Sequence, residues 1–183
     1  MLDDRLRALR FPPEGVRRDG LLYRLPTLDD ADTVAPAFAD EELGGIANMA
    51  PLSADELRAQ VTELPTMLEQ GWMIPIVIVA DGEIQGGGNL HHFDWELGQA
   101  EIGYWLFPQT RGRGTATQAA RFLAEYGFSL GFERIEARVF TGNTASERVL
   151  ERAGFTREGV LRSLPRRRGG RADMTLYSLL RGE

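Results

Sequence analysis

Phe107-Pro108-Gln109-Thr110-Arg111-Gly112-Arg113-Gly114-Thr115-Ala116 joins two different hydrophobic periods. Before it, Glu101-Ile102-Gly103-Tyr104-Trp105-Leu106 alternates, so Glu101, Gly103 and Trp105 share one face of a strand. After it, Ala116, Ala119, Ala120, Leu123, Ala124 and Gly127 recur at helical spacing, which predicts a helix from residue 112 to about residue 130. The first-turn amides of such a helix have no intrahelical partners. Glycines at 112 and 114 remove the Cβ atoms that would hold a ligand off the backbone, and Arg111 and Arg113 add positive charge. The stretch therefore reads as an anion site, with dipole and amides together worth about 1–2 kcal/mol to a partly buried anion. On these residues alone, a plain tight turn stays open.

The flanking sequence supplies a sheet for this turn. Strands are expected over residues 21–25, 72–80, 83–93, 100–107, 135–140, 155–164 and 172–180, the second and third joined by the hairpin signal Asp81-Gly82. Gly86-Gly87-Gly88 marks a bulge or a close approach within 83–93. Helices are expected over 29–39, over 54–70 with Ser53 and Glu56 as a capping box and a kink at Pro65, and over 144–153. Residues 41–49, with Gly44-Gly45, read as irregular. Strand and helix alternating through the second half demand a mixed α+β sheet with helices on its faces, in one domain of 183 residues. Phe93, Trp95 and Trp72 read as core or cavity wall.

Composition excludes several chemistries. All 21 cationic side chains are arginine, and there is neither lysine nor cysteine. Disulfides, thiolate nucleophiles, cysteine zinc sites, lysine Schiff bases and a lysine-dependent P-loop are ruled out. His91 and His92, adjacent, have no spacing for a histidine zinc site, and no metal is expected. A Rossmann fingerprint fails because Thr117 occupies its third glycine position. Residues 1–10 (MLDDRLRALR) are charged throughout, and the longest apolar run, 74–80, is too short for a bilayer, so a cytoplasmic protein without membrane contact is expected. The net charge of −6 hides an asymmetry. Residues 1–98 carry 18 acids against 7 arginines, and residues 99–183 carry 9 acids against 14. One half suits a cationic partner and the other an anionic one.

Arg111-x-x-Gly114-x-Ala116 resembles the pyrophosphate-binding signature of the GNAT superfamily of coenzyme-A-dependent N-acyltransferases. Glu101 to Leu106 is similar to that family's fourth strand, and Asn143-Thr144-Ala145-Ser146 with Gly154-Phe155 resembles its Asn-x-x-Ser…Gly-Phe segment. Arg171-Ala172-Asp173-Met174-Thr175-Leu176-Tyr177-Ser178 is similar to the closing strand of the RimJ/RimL branch of ribosomal-protein acetyltransferases. The resemblance implies a mostly antiparallel sheet of about seven strands, splayed between the fourth and fifth. It implies one GNAT domain over 1–183, with an N-terminal extension over 1–20, an acceptor-side half over about 21–98 and an acyl-CoA half over about 99–181.

The implied activity is acyl transfer, most simply acetyl, from coenzyme A to a primary amine in a ternary complex. Succinyl-CoA as donor and a non-catalytic acyl-CoA sensor stay as alternatives, a homodimer is open, and no nucleic-acid partner is expected, because the motifs assign the charge of the arginine-rich half to the cofactor. By resemblance, Glu101 removes the ammonium proton and Ser146 serves the departing thiolate, although a satisfied strand carboxylate and a packed helix serine are the plainer readings. Trp105, Leu106, Phe107, Arg111, Gly112, Arg113, Gly114, Thr115, Ala116, Asn143 and Ser146 would hold acyl-CoA, with Asn143 alternatively a helix cap. Asp40, Glu41, Glu42, His91, Asp94 and Glu96 are the acceptor-side candidates, with His92 beside them. The arginines of 166–171 read as a solvated loop or an anion contact.

Overall fold

The computed structural model describes residues 9–166 and 169–183. Its strands are β1 (Val16–Arg18), β2 (Leu21–Arg24), β3 (Met73–Ala80), β4 (Glu83–Asp94), β5 (Gln99–Leu106), β6 (Arg134–Phe140), β7 (Thr156–Pro165) and β8 (Arg171–Leu180). The helices are α1 (Ala31–Ala39), α2 (Glu41–Ile46), α3 (Ala54–Thr62), α4 (Leu64–Glu69), α5 (Thr115–Ser129) and α6 (Thr144–Ala153). One sheet runs β1-β2-β3-β4-β5-β6-β8-β7, antiparallel throughout except for the parallel pair β5–β6. The strands expected as fourth and fifth are thus β5 and β6.

The sheet has eight strands rather than about seven. The additional one, β1, folds back on β2 through Asp19-Gly20, whose φ angles of 50° and 80° match those of Asp81-Gly82, 50° and 82°. Both dipeptides make the turn that suits right-twisted hairpins. The expected N-terminal extension therefore joins the sheet from Val16 and contributes Leu9 and Phe11 to the core.

Helices cover both faces. On one, the small residues Ala119, Ala120 and Ala124 let α5 sit close against Ile76, Leu90, Ile102 and Ile135. On the other, Ala31, Val34 and Leu57 pack on Val77 and Val79. Arg24 donates two hydrogen bonds of 2.7 Å to the Asp30 carboxylate, which also accepts the Thr27 amide at 2.6 Å. This fixes where α1 leaves β2. Burial by itself raises the Asp30 carboxyl, but these bonds outweigh it and hold the group below the usual carboxylate range.

Two helical expectations are corrected. Residues 41–46 form α2 despite their glycines, because the Asp40 carboxylate accepts the Leu43 amide at 2.6 Å and Leu43 is buried. The span 54–70 is two helices broken at Glu63, since Pro65 has no amide to continue α3 and instead occupies the first turn of α4. The Ser53–Glu56 capping box is present. Among the described residues no helix is long and apolar enough to cross a membrane.

Candidate active site

The parallel ladder between β5 and β6 starts at Gln99 and Arg134 and stops at Ile102 and Ala137. Beyond it, residues 103–106 and 138–140 part and leave a cleft of about 430 Å³. Trp105, Arg111, Gly114, Val139, Asn143 and Ser146 are among its lining residues. β5 is held firmly on its other side, because β4 meets it through glycines. A Cβ on Gly86 would lie 2.8 Å from Leu106 Cα, and one on Gly88 would lie 2.8 Å from the Gly103 carbonyl oxygen. The close approach expected at Gly86-Gly87-Gly88 is therefore that of neighbouring backbone.

At the cleft's end the chain turns through Pro108–Thr110, pinned where the buried Thr110 hydroxyl donates to the Gln85 carbonyl at 2.7 Å. Gly112 and Gly114 take φ values of 80° and 85°, and open space lies where their side chains would be. Gly114 caps α5 without a side chain, so no side-chain oxygen competes for the helix's first-turn amides. Gly112, Gly114, Thr115 and Ala116 line the cleft, as does Arg111, whose Nε donates to the Leu106 carbonyl at 3.3 Å. Arg113 is exposed and outside the lining. Phe107 is also outside it: its amide donates to Gln85 at 3.0 Å, and its carbonyl accepts from the Thr110 amide at 3.0 Å. Two cations that sequence reasoning missed, Arg148 and Arg152, face the cleft from α6, four residues apart and so on one helix face.

Asn143 caps α6, its Oδ1 accepting the Ser146 amide at 3.2 Å. The Ser146 carbonyl in turn accepts from the Tyr104 hydroxyl at 3.3 Å. Burial pushes the Tyr104 phenol well above its ordinary range, so this O–H stays protonated. Tyr104, on the opposite face of β5 from Glu101, lines both the cleft and the cavity beside it.

A second cavity, of about 680 Å³, lies under α1 and α3 and shares Ile102, Gly103, Tyr104, Trp105 and Arg138 with the cleft. Glu101 lines this cavity and not the cleft, and is 8% exposed. The register of β4 and β5 sets His91 opposite Glu101. At His92 the register shifts and φ is 50°, a bulge that brings a second imidazole to the same carboxylate. His92 Nδ1 lies 3.0 Å from Glu101 Oε2, His91 Nε2 lies 3.8 Å from Oε1, and Arg138 Nε lies 3.4 Å from Oε2. Arg138 is shared with Glu136, whose Oε2 is 3.4 Å from its Nη2. The ligand atoms of His91, His92 and Glu101 fall within 4.8 Å of one another, a grouping that two adjacent histidines did not disclose in sequence. The Arg138 guanidinium already provides positive charge to that carboxylate.

Of the six acceptor-side candidates, His91 lines the cavity and the five acids do not. Asp40 caps α2, Glu41 and Glu42 are exposed, and Asp94 accepts the amides of Glu96 and Leu97 at 3.1 and 2.8 Å. Phe93 and Trp95 pack against Phe132 as expected, but Trp72 is 62% exposed. Arg166 lines the cavity with its guanidinium 5.0 Å from the Phe140 ring centre. Arg171 donates to the Ser163 hydroxyl at 2.9 Å, while Arg167 and Arg168 lie outside the described residues.

Residues 20–156 match the family described as the acetyltransferase (GNAT) domain. An uncharacterized N-acetyltransferase of Bacillus licheniformis, p20, is 32% identical over 175 residues, which cover 93% of this chain and 98% of the relative. The crystal structure of a probable acetyltransferase superposes with a TM-score of 0.81 at 30% identity, over 90% of this chain and 94% of the other. Mycobacterium smegmatis RimJ, solved in complex with CoA-disulfide, superposes with a TM-score of 0.78 at 26% identity, over 92% of this chain and 84% of its own.

Proposed function

The chain belongs to the GNAT family of acyl-CoA-dependent N-acetyltransferases, and we propose that it transfers an acetyl group from acetyl-CoA to a primary amine across the shared wall of the cleft and the cavity. One observation carries this reading: the β5–β6 ladder ends where an anion-binding turn stands on one side and Glu101 on the other. Residues 99–181 form the donor side, and the helices before β3 form the acceptor side, within one domain.

The cleft fits coenzyme A, a co-substrate rather than a resident group. The uncapped start of α5, the open glycines 112 and 114, and Arg111, Arg148 and Arg152 offer amides and charge to phosphates, and the parted edge of β5 offers backbone to the pantetheine arm. Acetyl-CoA brings the thioester carbonyl.

On the acceptor side Glu101 takes one proton from the incoming ammonium, directly or through a water. The neutral nitrogen then bonds to the acyl carbon as the carbon–sulfur bond breaks. His92, 61% exposed on its side chain and 3.0 Å from Glu101, passes the proton to solvent. As the adduct collapses, the nitrogen gives up its second proton, and the Ser146 hydroxyl relays it to the departing thiolate, so that the serine ends as it began. Trapping of released thiol tests the reading with acetyl-CoA and succinyl-CoA over a range of amines. The expected result is amine-dependent release with acetyl-CoA preferred. A preference for succinyl-CoA would transfer the acyl assignment to the cationic wall at Arg138 and Arg166.

Asn143 has two tasks here, and one substitution separates them. Asn143→Ala is expected to cost about 1 kcal/mol in urea unfolding through loss of the α6 cap. It is also expected to raise the KM for acetyl-CoA several-fold, because the side chain borders the cleft. An unchanged KM would leave capping as its whole role.

A further inference from the structure

The acceptor cavity differs in character from the acidic half of the chain that contributes most of it. Its wall includes Val34, Phe38, Leu57, Met67, Met73 and Val77. Among the described residues the wall carries two carboxylates, Asp30 and Glu101, and two guanidinium groups, Arg138 and Arg166. Neither carboxylate is left to meet a second cation. Arg24 and Thr27 already bond Asp30, and Glu101 is the group that receives the reacting ammonium beside His92 and Arg138.

A polyamine or lysine-rich acceptor would bring further ammonium groups into this space. Burying a charge without a partner is strongly unfavourable, whereas burying an aromatic or branched aliphatic group favours binding by about tenfold to a hundredfold. A cavity of about 680 Å³ has room for such a body, well beyond the one or two carbons of a simple alkylamine.

Resting on the acetyltransferase reading above, we propose that the acceptor is a small monoamine carrying one bulky apolar body, aromatic or branched aliphatic. The amine lies at Glu101 and the apolar body lies under α1 and α3. The acids outside the wall, Asp40, Glu41 and Glu42, do not choose the acceptor.

Thiol release from acetyl-CoA is measured with 2-phenylethylamine, ethylamine and spermidine. Burial of the phenyl group predicts a kcat/KM for phenylethylamine about tenfold or more above that for ethylamine, with spermidine the poorest. Ala50, on the cavity wall in the loop before α3, allows the space to be filled. Ala50→Trp is expected to reduce the preference for phenylethylamine over ethylamine while the KM for acetyl-CoA holds. The combined Asp40→Asn, Glu41→Gln, Glu42→Gln variant is expected to leave the order of acceptors as it was. Spermidine as the best acceptor, or equal rates for phenylethylamine and ethylamine, overturns the assignment. Calorimetric titration of the CoA-bound protein separates the two levels of failure. Phenylethylamine that binds without any thiol release overturns the transferase reading and keeps the apolar site. Spermidine binding more tightly than phenylethylamine overturns the apolar site whether or not thiol is released.

Discussion

Glu101→Gln is expected to lower kcat by about 100- to 10,000-fold, the range for loss of a positioned general base, and to leave the KM for acetyl-CoA nearly unchanged. The split follows from placement. Glu101 lines the acceptor cavity and not the cleft, so its loss removes no donor contact. The amide keeps the shape and a hydrogen-bond acceptor for His92, but it cannot take a proton from an ammonium. The deficit should therefore shrink as the pH approaches the amine's own pKa, where the acceptor arrives neutral and needs no base. His92→Gln should give a smaller loss, since the carboxylate stays and water replaces the relay. Turnover by Glu101→Gln equal to that of the parent protein at every pH would remove Glu101 from the chemistry.

The uneven charge of the sequence has a different meaning in three dimensions. The acids of the first half pointed to a cation-binding surface, but many are engaged close to home. Asp30 holds Arg24, Asp32 accepts from Arg58, Asp40 and Glu56 cap helices, and Asp94 closes the turn before β5. Apart from the Asp32–Arg58 pair, 26 positions apart, these uses depend on partners a few residues away, and a net charge averages over all of them. The basic half is divided in the same manner. Arg134 and Arg181 bond Glu158 and Glu133, leaving Arg111, Arg148 and Arg152 to line the cleft.

Local chemistry was legible for the complementary reason. The positive-φ turn at Gly112 and Gly114, the Asp81-Gly82 turn and the Ser53 capping box each depend on a few neighbouring residues, and the structure has these local conformations. The meeting of His92 with Glu101 was not, because it needs the β4–β5 register and a bulge that turns the second imidazole around. Arg138 reaches the same carboxylate through the parallel pairing of β5 with β6, a contact across 37 positions of sequence. Trp72 shows the converse: an aromatic residue at the start of a strand-like pattern reads as core or cavity wall, whereas it is exposed.

Gly86→Ala is expected to destabilise the fold by about 3 kcal/mol, at the upper end of ordinary overpacking. A Cβ there lands on the Trp105 carbonyl oxygen and comes within 2.8 Å of Leu106 Cα, both of them backbone atoms that no rotamer change can move aside. Relief would require β5 to shift away from β4. The same stretch of β5 borders the cleft, and the neighbouring Gln85 carbonyl anchors both the Phe107 amide and the Thr110 hydroxyl. Weaker acetyl-CoA binding should therefore accompany the lost stability. Gly82→Ala is the control: its φ of 82° strains a side chain, but no atom lies within 4 Å of the added Cβ, so its cost is about 1 kcal/mol from backbone strain alone. Urea unfolding of both variants gives the comparison. If Gly86→Ala costs no more than Gly82→Ala, β4 and β5 have slack between them, and the tight glycine seam does not hold the cleft open.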